Sequence, residues 1–453
     1  MTGGPAVSTD RRLFGLLAAL ALVLAACSGG GTASPSAAAP SAAASEAAPS
    51  EAAPSEAAAE PVTIELYDLH INEPGKTLIA EIIAEYEAAH PGVTIEATVL
   101  ENEALKAKIA TEMQAGNPPD LFQSWGGGVL AQQQEAGMVR SIDDEIADWK
   151  DTMNAAAMSI YQVDGVQYGI PYNFGLVGFW YNQDLFEQAG VSAPPATWSE
   201  FLDAVGKLKA AGITPIAVGA GDKWPAMFWW AYLSLRAGGQ PALDEAIATG
   251  DWTGDAFVTA GTELKKLIDM EPFQESFLAA TYPQQAATVG NGKAAMELMG
   301  QWAPGVEKDN SESKEGIGDA LGWFGFPGLE GGAGAATDVF GGADGFAVGR
   351  DAPPEAVDFL KFFVSLEIAN RFASLNDGTL PPTNGAEEAV TDPFLTTVLE
   401  KRAESTFAQL YLDQATTPEL GAAINDAIQG LFAGTLTPEQ VSQAITDAAA
   451  AAS

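Results

Sequence analysis

Few residues in this chain are typed and spaced for covalent or metal chemistry. There are two histidines, His70 and His90, and one cysteine, Cys27. That is no His/Cys cluster, so a transition-metal site is not expected and no cofactor is implied. A single cysteine also excludes an internal disulfide. A glycoside hydrolase needs two carboxylates facing each other across a cleft. Glu73 and Asp344 qualify by type alone, no motif surrounds them, and the chain is not expected to be an enzyme. Iron sites commonly use adjacent tyrosines, and the sequence has none. What remains is reversible recognition by side chains standing in loops. His70 and Glu73 follow a first strand, Gln123 and Trp125 end another, and Trp224 sits in the polar loop Gly221-Asp222-Lys223.

Those side chains need a scaffold, and 453 residues are enough for two lobes with separate cores. The formal net charge of −39 argues against nucleic acid, whose phosphates require clustered Lys and Arg, and against docking on anionic lipid. Residues 1–26 read as an address. Arg11-Arg12 precede an apolar run from Leu13 to Ala26, too short to span a bilayer comfortably. The run ends Leu24-Ala25-Ala26-Cys27, which resembles the bacterial lipobox, so Cys27 is the expected lipidation site and the lipid the only expected membrane contact. Arg11-Arg12-Leu13-Phe14 partly resembles a twin-arginine signal, and the export route stays open. Residues 27–60 then form an Ala/Ser/Pro/Glu linker in which Ser45-Glu46-Ala47-Ala48-Pro49 repeats as Ser50-Glu51-Ala52-Ala53-Pro54. Such a segment cannot bury enough apolar area to fold, and it reaches about 30 Å on average.

The folded part opens as an α/β unit. Val62 to Tyr67 alternates by twos as a strand, and Thr77 to Ala89 carries Leu78, Ile79, Ile82 and Ile83 on one helical face. Val93 to Val99, a helix from Leu105 to Met113, and Asp120 to Gln123 continue the alternation, which predicts a mostly parallel sheet. Ligands in such sheets sit at the carboxyl ends of the strands. Tyr161 to Ile170 reads as a hairpin turning at Asp164-Gly165. The run from Gly169 to Asn182 reads as a strand end, a Gly/Asn-punctuated crossing and a second apolar strand, with Phe179-Trp180-Tyr181 as core. Thr197 and Glu200 have capping-box spacing at a helix start. Ile213 to Val218 is expected as a strand, Met227 to Arg236 and Phe257 to Ile268 as helices, and Ala294 to Met299 as a strand leaving through Gly300-Gln301-Trp302. Trp229 and Trp230 lie inside the apolar helix and are expected to pack rather than bind.

These pieces together resemble one family, the extracellular (family 1) solute-binding proteins of ABC transporters, in the cluster with maltose- and glucose-binding members. The resemblance rests on Pro119-Asp120-Leu121-Phe122-Gln123, on Tyr168-Gly169-Ile170-Pro171 through Trp180-Tyr181-Asn182, on Pro195 to Glu200, and on Gly292-Lys293-Ala294-Ala295-Met296 with Gly300-x-Trp302. It implies a two-lobed periplasmic-binding-protein-like fold of type II, each lobe a mostly parallel sheet flanked by helices, joined by hinge crossings. The N-terminal lobe would be 61–172 plus 344–395 and the C-terminal lobe 176–340 plus 396–453. It implies a monomer on the outer face of the membrane that captures a small carbohydrate between the lobes and delivers it to permease subunits. A pyranose offers C–H faces to aromatic rings and hydroxyls to polar groups. By the resemblance, Trp302 would stack, Asp344 would take hydroxyls, and Asn376 and Thr379 would lie in a binding loop. His70, Glu73, Gln123 and Trp224 would complete the contacts, with Trp125 where glucose-type members have histidine. Tyr172 and Asn173 would touch ligand or set the hinge. A polyamine or amino acid as cargo, a glycan-acting enzyme, or an anchored adhesin remain the alternatives.

Overall fold

The computed structural model describes residues 61–452. The signal segment, Cys27 and the linker lie outside the described residues. The strands are β1 (Val62–Asp68), β2 (Val93–Val99), β3 (Leu121–Ser124), β4 (Gln162–Val163), β5 (Val166–Gln167), β6 (Gly169–Asn182), β7 (Met296–Gly300), β8 (Leu321–Phe324), β9 (Val339–Val348) and β10 (Ala408–Leu410). All but β4 and β5 belong to one 8-stranded sheet that runs β2-β1-β3-β9-β6-β7, with β10 on β9 and β8 on β6. Helices fill the connections.

The sheet is mixed rather than mostly parallel. β1 pairs parallel with β2 and β3, and β10 pairs parallel with β9. β9 runs antiparallel to β3 and β6, and β6 antiparallel to β7 and β8. The cause lies in β6 and β9, which traverse the sheet's middle in opposite directions. Both are buried at nearly every position, as strands covered on both faces must be. β6 also replaces the expected strand–crossing–strand with one unbroken 14-residue strand. Its punctuation survives as a bulge between Pro171 and Asn173, where proline's missing N–H does no harm.

The hairpin β4–β5 turns at Asp164 and Gly165, whose φ angles of 52° and 79° suit a two-residue turn. The helix Trp198–Ala210 starts on the expected capping box: Thr197 Oγ1 accepts the Glu200 amide at 3.3 Å and Glu200 accepts the Thr197 amide at 3.2 Å. Ile213 to Val218 is not a strand. Only Ile216 makes isolated bridges, to Phe273 and Met296, because Pro215 removes a donor from the run. The aromatic helix extends over Trp224–Thr249, interrupted at Gly239 (φ 66°) two residues before Pro241.

The core divides. One apolar cluster gathers Ile64, Leu66, Ile82, Ile170, Tyr172, Phe346 and Phe363, with a smaller one around Tyr67, Phe122, Phe174 and Ala347. Another gathers Leu176, Phe179, Trp180, Trp229, Trp230, Phe340, Leu395 and Ile428. β6 passes from the first to the second between Tyr172 and Leu176, and β9 returns between Phe340 and Phe346. Trp229, Trp230, Phe179 and Trp180 are core residues, as their apolar settings predict; burying each stabilises by about 2–3 kcal/mol. Among the described residues no helix is long and apolar enough to cross a membrane.

Candidate functional site

A cavity opens where β1, β3, β6, β7 and β9 deliver their ends and middles to one place. At the exit of β1, the fully buried Asp68 accepts a 2.6 Å hydrogen bond from His70 Nδ1 and a 3.3 Å one from the His70 amide. Burial works against charge on His70, but Asp68 beside it, with Asp377 and Asp344 further off, lifts it above its ordinary value. The imidazole lies 5.2 Å from the Tyr172 ring, so its proton and its tilt are both fixed.

Asn173, at the bulge of β6, ties four segments together. Its Nδ2 donates to Asp344 Oδ2 on β9 at 2.9 Å. Its Oδ1 accepts from Gln301 Nε2 at 3.2 Å and from the Leu380 amide at 2.8 Å. Gly175 clears the way, since a Cβ there would stand 2.0 Å from Gln301. Asp344 also receives Gln123 Nε2 at 3.5 Å, and Trp125 acts on it from close by. Burial raises its pKa, while Asn173, His70 and Trp125 hold it down. The Asp344 carboxyl lines the cavity with these donors fixing it, a setting suited to a hydroxyl or ammonium donor.

Aromatic rings form the facing wall. Trp302 starts the helix Ala303–Asn310 just past β7, half-buried, with its ring 6.3 Å from Tyr411 edge-on. Trp224 packs edge-on to Tyr282 at 5.1 Å and tilted on Phe228 at 5.3 Å, and Phe228 stacks on Tyr411 at 5.3 Å. Trp125 also lines the cavity, with Lys106 Nζ 5.0 Å over its ring. The charges at the cavity are lopsided: Glu73, Glu101, Asp377 and Asp413 join Asp344, and Lys106 opposes them. The geometry offers stacking faces with acceptors between them. Among the described residues, no group of three or more potential metal ligands is assembled.

His70, Glu73, Trp125, Tyr172, Asn173, Trp224, Trp302, Asp344 and Thr379 all line this cavity. Gln123 does not. It is buried behind the wall, where its Oε1 accepts the Tyr172 hydroxyl at 2.7 Å, so it positions Tyr172 and Asp344. Asn376 also stands outside. It closes the helix Leu366–Leu375 in the left-handed region (φ 52°), and its Oδ1 accepts the amides of Thr391 and Asp392. Its loop neighbour Asp377 lines the cavity instead, and its Oδ1 accepts the Thr379 amide at 3.0 Å. Sequence reasoning missed Phe228, Tyr282, Tyr411, Lys106 and Asp413. Tyr282 carried a signal, the helix start Thr281-x-x-Gln284 beside a proline, whereas Tyr411 and Asp413 reach the wall only through tertiary packing.

Known proteins resemble this chain along most of its length. An uncharacterized ABC transporter extracellular-binding protein from Pyrococcus horikoshii is 26% identical over 407 residues, covering 85% of this chain and 86% of its own. A structure from work on xylan utilization by Caldanaerobius polysaccharolyticus is 28% identical with a TM-score of 0.80, covering 85% of this chain and 99% of the other. A chitin oligosaccharide binding protein is likewise 28% identical with a TM-score of 0.80, covering 86% and 99%. With residues 70–369 matching the family model, the chain belongs to the bacterial extracellular solute-binding proteins.

Proposed function

We propose that this protein is the substrate-binding component of an ABC importer and captures a sugar in the cavity described above. One observation carries the reading: Trp125, Trp224, Trp302 and Asp344 line a single cavity, so ring faces and a hydroxyl acceptor are offered together, as a pyranose requires. The chitin oligosaccharide binding protein of similar fold adds support. The protein binds and does not turn its ligand over, and it acts as a monomer. Cys27 carries the lipid that holds it on the outer face of the cytoplasmic membrane, and residues 28–60 give the tether reach.

The division of the core supports a hinge reading of the fold. The two lobes meet on β6 between Tyr172 and Leu176 and on β9 between Phe340 and Phe346. A sugar touching Asp344 from one side and Trp302 from the other stabilises the closed form, and permease subunits read that closure.

A thermal-shift screen of the purified protein against saccharides, amino acids and polyamines tests the reading. A bound ligand raises the melting temperature by mass action. The carboxylates lining the cavity against Lys106 also favour a second reading, a polyamine held between rings and carboxylates. Shifts with spermidine and none with any saccharide would replace the first reading by the second.

A further inference from the structure

Behind the wall that carries Trp302 lie two carboxyl groups with no cation between them. Glu297 on β7 is 0% exposed and Glu307 on the helix Ala303–Asn310 is 1% exposed. Each has one carboxyl oxygen that meets no donor in the protein, and the two carboxyl groups act directly on each other. Two carboxylates buried together with no cation cannot both stay charged. Gln285 accounts for the other oxygen of Glu297. Its Oε1 accepts the Gly219 amide at 2.5 Å, so its Nε2 is the donor to Glu297 Oε2 at 2.6 Å. Glu297 Oε2 is thus occupied, which leaves the donorless Oε1 atoms of Glu297 and Glu307 to take up a proton. The fit is tight: a Cβ on Gly290 would stand 2.4 Å from the Glu307 carbonyl oxygen, so the helix Tyr282–Gly290 presses directly on the helix bearing Glu307.

We propose that Glu297 and Glu307 share one proton and that this proton seats the helix Ala303–Asn310 on β7, holding Trp302 in the cavity wall. The pair is a positioning device, and its link to ligand binding rests on the sugar-site reading above. The groups around it are few. Gln285 and Tyr282 face it from the helix Tyr282–Gly290, Trp180 stands opposite Glu297 in register on β6, and Lys308, on the pair's own helix, is exposed to solvent. None can neutralise a second buried anion.

Burial raises both carboxyl groups, Glu307 well above the glutamate range with Glu297 adding to the effect. The sign follows. The stability this pair contributes is complete below the ordinary glutamate value and is lost as pH rises through the raised one. Glu307→Gln keeps the donor without a proton to lose.

Melting temperature and tryptophan fluorescence of the unliganded protein, followed from about pH 5 to about pH 9, test the proposal. The wild type should lose melting temperature relative to Glu307→Gln as pH rises, with a fluorescence step absent from Trp302→Phe. Parallel melting curves for the wild type and Glu307→Gln would overturn the shared proton. So would a Glu307→Gln protein that unfolds at neutral pH. A melting step with no fluorescence step dependent on Trp302 would overturn the seating of Trp302. No ligand enters these measurements, so a failure of the sugar reading would leave them readable.

Discussion

Trp302 folds back over Gly300: a Cβ built on Gly300 would stand 2.0 Å from the indole ring. This contact is the physical content of the Gly-x-Trp spacing. The glycine ends β7 flush with the sheet so that the ring two residues on can lie against the backbone and show an edge and face to the cavity. Trp302 thus owes its place to a missing side chain as much as to its own packing.

Gly300→Ala should therefore move the ring. We expect a saccharide ligand to bind at least tenfold more weakly, with a stability loss of about 1–3 kcal/mol from overpacking. Calorimetric titration and chemical denaturation separate the two effects. Unchanged affinity in a folded variant would show that the ring position does not matter.

Asn173 joins Asp344, Gln301 and Leu380, so its truncation removes donors and acceptors that have no replacement. Asn173→Ala should cost about 2–4 kcal/mol, the sum of buried polar groups left unpaired. Losing the Asn173 donor should also raise the pKa of Asp344 further, so binding by the variant should weaken as the solution is made acidic. Equilibrium denaturation and titrations at several pH values check both parts.

His70 keeps its proton above its ordinary pH because burial, which opposes the charge, is outweighed by Asp68 together with Asp377 and Asp344. The stability it contributes is complete below the ordinary histidine value and is lost as pH rises through the raised one. NMR titration of the two imidazoles, assigned with His90→Gln, should show His70 releasing its proton above about pH 6.5. Release below that point would contradict the Asp68 pairing.

The carboxylates Glu73, Glu101, Asp344, Asp377 and Asp413 set a charge preference. Uronic acids or sugar phosphates should bind at least tenfold more weakly than the matching neutral sugars, since unscreened like charges in a cleft repel by more than 1.4 kcal/mol, at effective dielectric constants of about 20. Competition titrations at low and high salt measure it.

Arg236 is 1% exposed and donates only to carbonyls, those of Phe326, Pro327, Ala335, Ala336 and Asp338. Lysine cannot reproduce that fork, so Arg236→Lys should destabilise by about 2–4 kcal/mol, seen as a lowered melting temperature.

Local signals made much of this legible. The capping box at Thr197, the hairpin turn at Asp164-Gly165 and the alternation of β1 each depend on residues close in sequence. The unbroken β6 was hidden because its glycines look like a crossing; Gly175 is instead space for Gln301, a contact 126 residues away. Pro215, which lacks an N–H, interrupts the strand expected at Ile213 to Val218. At the site, residues at strand exits were visible, since β1, β3 and β7 end in polar or aromatic residues. Tyr411 and Asp413 were not, because only the packing of β10 beside β9 brings them to the wall. Asn376 closes a helix instead of lining the cavity, and a polar loop residue looks the same in sequence in either setting.

Isothermal titration of the purified protein and its Trp302→Ala variant with xylo- and chito-oligosaccharides tests the central claim most directly. The account predicts saturable binding by the wild type and its loss in a variant that melts like the wild type. Saccharide binding that survives in Trp302→Ala, or a wild type that binds spermidine and no saccharide, would contradict it.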